Sequence, residues 1–328
     1  MRSRGSAPGG SGQSPVFLFF HESKTTGPGI VTQPAPPSRA TAIALFASIV
    51  VAWGITWTVA KLIVMEVPPF WMSALRSLVA TIGLGLLLVA RRQMIIPKRG
   101  DLPVIVMISV PHMIVFSVLM SYGLMHVPVG RSVVLAYTTP LWVALGAWPF
   151  LKERIPPARA LGIGLGLAGL AFLFNPLAFD WSSSNALFGN AMLLLSALSW
   201  SVSILYTRAH RWISSPFQLV FWQALLATIV LFILAPLIEG APSFAYSHRL
   251  ALLFAYTGLI GTGYAFWALA IVNRSLPAST TALGILATPV VGIAGSAIFL
   301  GEGIDLPLLV AAAMILSGIA IGTLRRGA

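Results

Sequence analysis

Runs of about 20 apolar residues, each closed by charges or by Pro and Gly, recur along this chain of 328 residues. A helix of that length crosses the ~30 Å hydrocarbon core of a bilayer. In lipid only helices and closed barrels satisfy their own backbone polar groups. The runs fall near 40–61, 70–90, 102–125, 130–151, 158–175, 185–207, 216–236, 249–271, 279–300 and 306–324. They predict an all-α integral membrane protein with ten transmembrane helices. Composition agrees: 57% of residues are hydrophobic and 9% charged, against about 25% charged in soluble domains. The connections between runs are too short to hold a soluble catalytic domain.

The chain carries 20 Lys and Arg against 8 Asp and Glu, a net charge of +12. On a soluble protein that excess would suggest nucleic acid; here its distribution gives a different reading. One side of the predicted membrane holds Arg2, Arg4, Lys24, Arg39, Arg91, Arg92, Lys98, Arg99, Lys152, Arg154, Arg159, Arg208, Arg211, Arg274, Arg325 and Arg326. The other holds only Lys61, Arg131 and Arg249, and Arg76 falls inside a run. Positive loops stay in the cytoplasm, so both termini are predicted cytoplasmic in a multi-pass protein of the cell (inner) membrane. The expected partners are the lipid bilayer and a small amphipathic solute, with no nucleic acid. Residues 1–38 are rich in Gly, Ser and Pro and cannot bury a core; they are expected to form a disordered cytoplasmic tail. The chain has no cysteine, which excludes disulfides and thiol chemistry.

The sequence repeats. Pro128, Pro140, Leu151, Glu153 and Gly169 return as Pro277, Pro289, Leu300, Glu302 and Gly318, an offset of 149. Earlier the offset is 147: Trp53 returns as Trp200, Pro69-Phe70 as Pro216-Phe217, and Arg76 as Gln223. The halves are expected over 39–180 and 181–328. Five helices per half is an odd number, so the copies enter the membrane from opposite sides. Inverted repeats recur in secondary transporters, with solute near the midplane; channels and membrane enzymes have them too.

With its two five-helix halves, its Val51-Ala52-Trp53-Gly54 run and its twice-written block, the chain resembles the EamA branch of the drug/metabolite transporter superfamily. The block reads Val127-Pro128 through Thr139-Pro140 to Leu151-Lys152-Glu153, then Leu276-Pro277 through Thr288-Pro289 to Leu300-Gly301-Glu302. The aromatic-rich spans are similar to the YddG-type exporters of aromatic amino acids. The resemblance implies a cavity lined by spans 1–4 and 6–9, with spans 5 and 10 at the periphery.

Several residues are candidates for work inside the membrane. Pro140 and Pro289 sit mid-span, where proline removes a backbone donor and interrupts a helix. The hydroxyls of Thr138, Thr139 and Thr288 stand beside the freed carbonyls. His112 lies mid-span in the third run; an ionisable group at that depth normally faces an interior or a wet cavity. It suits a hydrogen bond to a solute carboxylate, or a neutral bond to a neighbouring helix. Trp53, Trp57, Tyr137, Trp200, Tyr206, Tyr264 and Trp267 offer ring faces and polar tips, either for solute or for core packing. Arg76 and its repeat partner Gln223 are polar groups at depth, with a structural or a solute-binding role. Trp71, Trp148, Trp181 and Trp212 lie near span ends and read as interfacial belt. Glu153 and Glu302 read as helix-end caps. Gly162-x-x-x-Gly166 and Gly318-x-x-x-Gly322 allow close helix contact, within a monomer or in a homodimer.

No phosphate-binding loop, H-E-x-x-H motif or histidine cluster is present, so no cofactor, metal site or enzymatic activity is expected. No run holds a carboxylate away from its ends, which disfavours an Asp- or Glu-coupled antiporter. The function expected is a secondary transporter exporting amino acids, aromatic or otherwise bulky and apolar such as Phe, Trp, Tyr or Met, by alternating access. A broader drug or metabolite exporter and a channel-like pore are the alternatives.

Overall fold

The computed structural model describes residues 38–153, 155–174, 181–277, 280–281 and 284–324. All but the last residue of the expected tail lies outside them. Eight helices among the described residues are long and apolar enough to cross a membrane. They are α1 (Arg39–Val64), α2 (Pro69–Ala90), α3 (Arg99–His126), α4 (Val129–Leu151), α6 (Ser184–Ala209), α7 (Pro216–Glu239), α8 (His248–Asn273) and α10 (Leu306–Thr323). Two shorter apolar helices, α5 (Pro157–Leu173) and α9 (Ile285–Leu300), occupy the remaining runs.

Local chemistry sets the helix starts. Ser38, Ser183, Ser215 and Ser247 each accept a backbone N–H of the first turn, relieving amides that have no partner within the helix. Pro69, Pro157 and Pro216 open their helices, where the missing N–H costs nothing. Carboxylates from elsewhere finish the job at two starts. Glu239, ending α7, accepts from the amides of Phe70 and Trp71. Glu302, following α9, accepts from those of Val129 and Gly130. Negative charge at a helix N-terminus is favourable, and both contacts join one half of the chain to the other.

The helix contacts exchange between halves. The principal packings are α1 on α8 and α9, α6 on α3 and α4, α2 on α8, α7 on α3, and the pairs α2–α7, α4–α9 and α5–α10. Moving every number by five returns the same set. In the α5–α10 pair the backbones touch: a Cβ at Gly318 would lie 2.4 Å from Gly162 O, and one at Gly162 would lie 2.4 Å from Gly318 O. The glycine spacing therefore serves packing within one chain. Thr81 and Thr228, 147 residues apart, hydrogen-bond hydroxyl to hydroxyl at 2.9 Å between α2 and α7.

Of the four tryptophans read as interfacial belt, two are exposed and two are covered. Trp148 and Trp181 are exposed. Trp71 is 8% exposed, donates from Nε1 to Gly240 O and packs edge-on against Phe232. Its position at a span end is buried because α7 and Phe244 cover it. Trp212 is half-buried among Ile105, Ile108 and Leu219.

Candidate functional site

Helix α3 changes pitch at its centre. Ser109–Phe116 is π-helical, and so is Tyr256–Tyr264 in α8, starting 147 residues later. In α3 the cause is Pro111, which has no amide hydrogen to give to the previous turn. In α8 the stretch holds Gly258, Gly261 and Gly263, which bend cheaply and let neighbours close: a Cβ at Gly258 would lie 2.5 Å from Val79 Cγ1. Such widened turns concentrate at functional sites.

The π turn presents His112 to α6. Its ring lies parallel to Trp200, centroids 5.0 Å apart and planes 5° apart. Phe116 leans on both, at 5.6 and 5.2 Å. The Trp200 indole N–H is buried without a hydrogen-bond partner, a costly state for a donor. Beside this stack is a small cavity of about 10 Å³, room for about one water. It is bordered by Ile108, His112 and Met113 of α3, Pro216, Val220 and Gln223 of α7, Phe266 of α8, and Trp212 from the α6–α7 connection. Gln223 is 3% exposed, and its carbonyl accepts from Ser109 Oγ at 2.9 Å. Arg76 donates to Ser117 Oγ, which donates in turn to Ser73 Oγ at 3.0 Å. His112, Trp200, Gln223 and Arg76 thus come together.

The other aromatics are elsewhere. Trp53 donates from Nε1 to Gly261 O in the π segment of α8, at 3.0 Å. Tyr264 shares a 2.6 Å hydrogen bond with Ser48 Oγ, and its ring lies 5.9 Å from Trp267. The Arg91 guanidinium stands 5.1 Å over Trp267. These three belong to an apolar cluster of α1 and α8. Trp57 and Tyr137 are buried in the central core. Tyr206 stacks at 5.8 Å on His210, whose pKa is pulled below the ordinary histidine value by burial, against the opposing charge of Asp101. Glu153 pairs with Arg159 and Arg208.

The paired prolines do interrupt their helices. Helix α4 breaks at Tyr137-Thr138 and restarts at Thr139, so Pro140 sits in a first turn that needs no N–H. The carbonyl it would have bonded, Ala136 O, accepts Thr139 Oγ1 at 2.8 Å. Leu135 O accepts Thr138 Oγ1. Helix α9 turns at Ile285-Leu286 before Pro289. There the expectation fails for Thr288: Ile285 O takes the Thr288 backbone N–H at 3.0 Å. The Thr288 hydroxyl, buried and facing the Tyr137 phenol, makes no hydrogen bond of normal geometry.

Phe116, Phe266, Met113 and Trp212 escaped the sequence reading. The first three look like ordinary lipid-facing residues, and Trp212 looked interfacial. The π segments could have been suspected from Pro111 and the glycine triplet.

The sequence profile of the EamA-like transporter family matches residues 40–175 and again 187–324. An uncharacterized transporter of Bacillus subtilis, YoaV, is 25% identical over 276 residues, spanning 84% of this chain and 94% of that protein. A probable amino-acid metabolite efflux pump of Salmonella typhimurium is 28% identical over 284 residues, spanning 83% and 91%. The fold is similar to that of another protein's crystal structure, with a TM-score of 0.61 at 23% identity over 88% of this chain and 98% of that one.

Proposed function

Because this chain belongs to the EamA-like transporter family, we propose that it is a secondary transporter exporting aromatic or other bulky apolar amino acids by alternating access. The observation that carries the reading is the His112–Trp200 stack beside a cavity walled by both halves. It offers a solute two parallel rings, an unspent indole donor and a buried amide at Gln223. The cavity, about 10 Å³, is far smaller than the ~300 Å³ of ordinary ligand sites, so this conformation is closed. Opening to either side then requires helices to move, and the interruptions before Pro140 and Pro289 are matched places for it.

In this reading the molecule has ten spans in two inverted five-helix halves, 39–180 and 181–328, behind a disordered tail over 1–38. The double profile match and the exchanged helix contacts support it. Both termini lie in the cytoplasm and the protein resides in the inner membrane. Trp57 and Tyr137 hold the core beneath the site, while Trp53, Tyr264 and Trp267 line the route from the cytoplasm. A relative named as an amino-acid metabolite efflux pump supports the solute class. A broader drug or metabolite exporter is the second reading. The apolar lining by Ile108, Val220 and Phe266 favours it, since nothing there demands an α-amino group.

Purified protein in liposomes is expected to move labelled Phe, Trp or Met with saturation and counterflow. Flux that never saturates would identify a pore. Saturable flux of neutral aromatic compounds without amino acid competition would install the second reading. Absence of saturable flux across the whole panel would overturn the proposal.

A further inference from the structure

Seven of the eight residues around the His112 cavity stand on helices; the eighth, Trp212, stands on the connection between α6 and α7. That connection is fastened to the start of α3. Ser214 donates from its backbone N–H to Asp101 Oδ1 at 3.2 Å and from its hydroxyl to Asp101 Oδ2 at 2.7 Å. Asp101 is fully buried and also accepts from the Lys98 amide at 3.1 Å. Ile213 lies so close to Gly100 that a Cβ there would be 2.4 Å from Ile213 Cδ1. On the other side His210 meets Trp212 edge-on at 5.6 Å. Trp222 ties α7 to the same region, donating from Nε1 to Ile95 O at 2.8 Å. All of this lies at the end of the bundle that carries Arg91, Lys98, Arg99 and Arg211.

We propose that Trp212 is the wall of the solute site at this basic end, and that Asp101 is the positioning residue that holds the wall through Ser214. The assignment rests on the function proposed above. Three hydrogen bonds to one buried carboxylate, all from neutral donors and two of them from Ser214, make a latch. The two Ser214 bonds break together once the connection lifts, while the carboxylate keeps the Lys98 amide just before α3. Lifting the connection removes the indole from the cavity and opens His112 and Gln223 to that end of the bundle alone. The rest of its lining comes from α3, α7 and α8.

The chain has no cysteine, so Met113→Cys gives a single reporter in the cavity. Its reaction with a membrane-impermeant maleimide is read separately from each face of oriented vesicles. Adding Ser214→Ala or Trp212→Ala should raise labelling from the basic end roughly tenfold or more, the population change expected on losing a hydrogen bond to a charged group. Labelling from the opposite face should stay at the parent rate. Ser214→Thr keeps the hydroxyl and should restore the slow rate. Equal labelling of parent and both variants would overturn the proposal, and so would a rise at both faces together, which reports general loosening. The labelling needs no transport. Loss of the solute reading with a one-sided rise intact would leave the wall assigned and the solute wrong.

Discussion

His112 and Trp200 face each other with ring planes 5° apart, so removing either ring takes away stacking worth about 0.5–1.5 kcal/mol. In the proposed site each ring also stacks on the solute, and a solute contact of that same size makes His112→Ala and Trp200→Leu each raise KM by about two- to tenfold. Trp148→Ala is the right control, because Trp148 is 66% exposed and is not part of the His112 cavity lining; its transport should match the parent. Trp212, which a reading of span ends places in the interfacial belt, borders the His112 cavity and cannot serve that purpose. A second prediction concerns Lys152, which caps α4 in the left-handed conformation at φ 53°. Its repeat partner Gly301 adopts φ 67° after α9, so the same turn is written once with a residue that tolerates it and once with one that does not. A left-handed non-glycine residue costs about 1–2 kcal/mol. Lys152→Gly should therefore raise the thermal unfolding temperature in detergent, and an unchanged or lower Tm would contradict this account.

At the scale of helices, what could be read in advance was whatever one segment must satisfy alone. The apolar runs were legible because lipid demands about 20 such residues in a row. The break before Pro140 was legible because proline removes a donor wherever it sits. The π segments left only an indirect trace in Pro111 and the glycine triplet, since an inserted residue changes no composition, and the Trp53 contact to Gly261 O was out of reach because no sequence pattern pairs α1 with the widened turn of α8. The glycines of α5 and α10 divide along the same line. Their spacing announced a contact, yet only the fold separates those that touch from those that do not. A Cβ at Gly318 meets Gly162 O at 2.4 Å and Gly166 N at 2.8 Å, whereas one at Gly164 meets nothing within 4 Å. Gly318→Ala should cost about 1–3 kcal/mol, as overpacking does, because backbone cannot step aside. Gly164→Ala should gain up to about 1 kcal/mol from reduced chain entropy. Paired Tm measurements check both, and similar shifts for the two variants would mean that the helices are not held this close.

For the whole molecule the decisive quantity is the number of crossings. Helices α5 and α9 are the two shorter than the rest, and α5 has 17 residues, about 26 Å at 1.5 Å per residue. That is slightly less than the ~30 Å hydrocarbon core, a mismatch that local thinning and residues flanking the helix accommodate. Its partner α10 is long enough, and the two lie backbone to backbone along their length, so one cannot span while the other lies in the interface. If both α5 and α9 cross, the α5–α6 connection is on the far side from the basic loops. If α5 does not cross, that connection is on the same side as Arg159. Losing the α5 and α9 crossings together would leave the termini on one side as before, so terminal tags do not separate eight crossings from ten. Asn185, exposed at the start of α6, does. In this cysteine-free chain, Asn185→Cys should react with an impermeant maleimide only from outside the cell, and Arg211→Cys, exposed at the far end of α6, only from the cytoplasm. The exchanged pattern, Asn185→Cys from the cytoplasm and Arg211→Cys from outside, would remove the α5 crossing, and with it the inverted relation of the halves on which a shared central site depends.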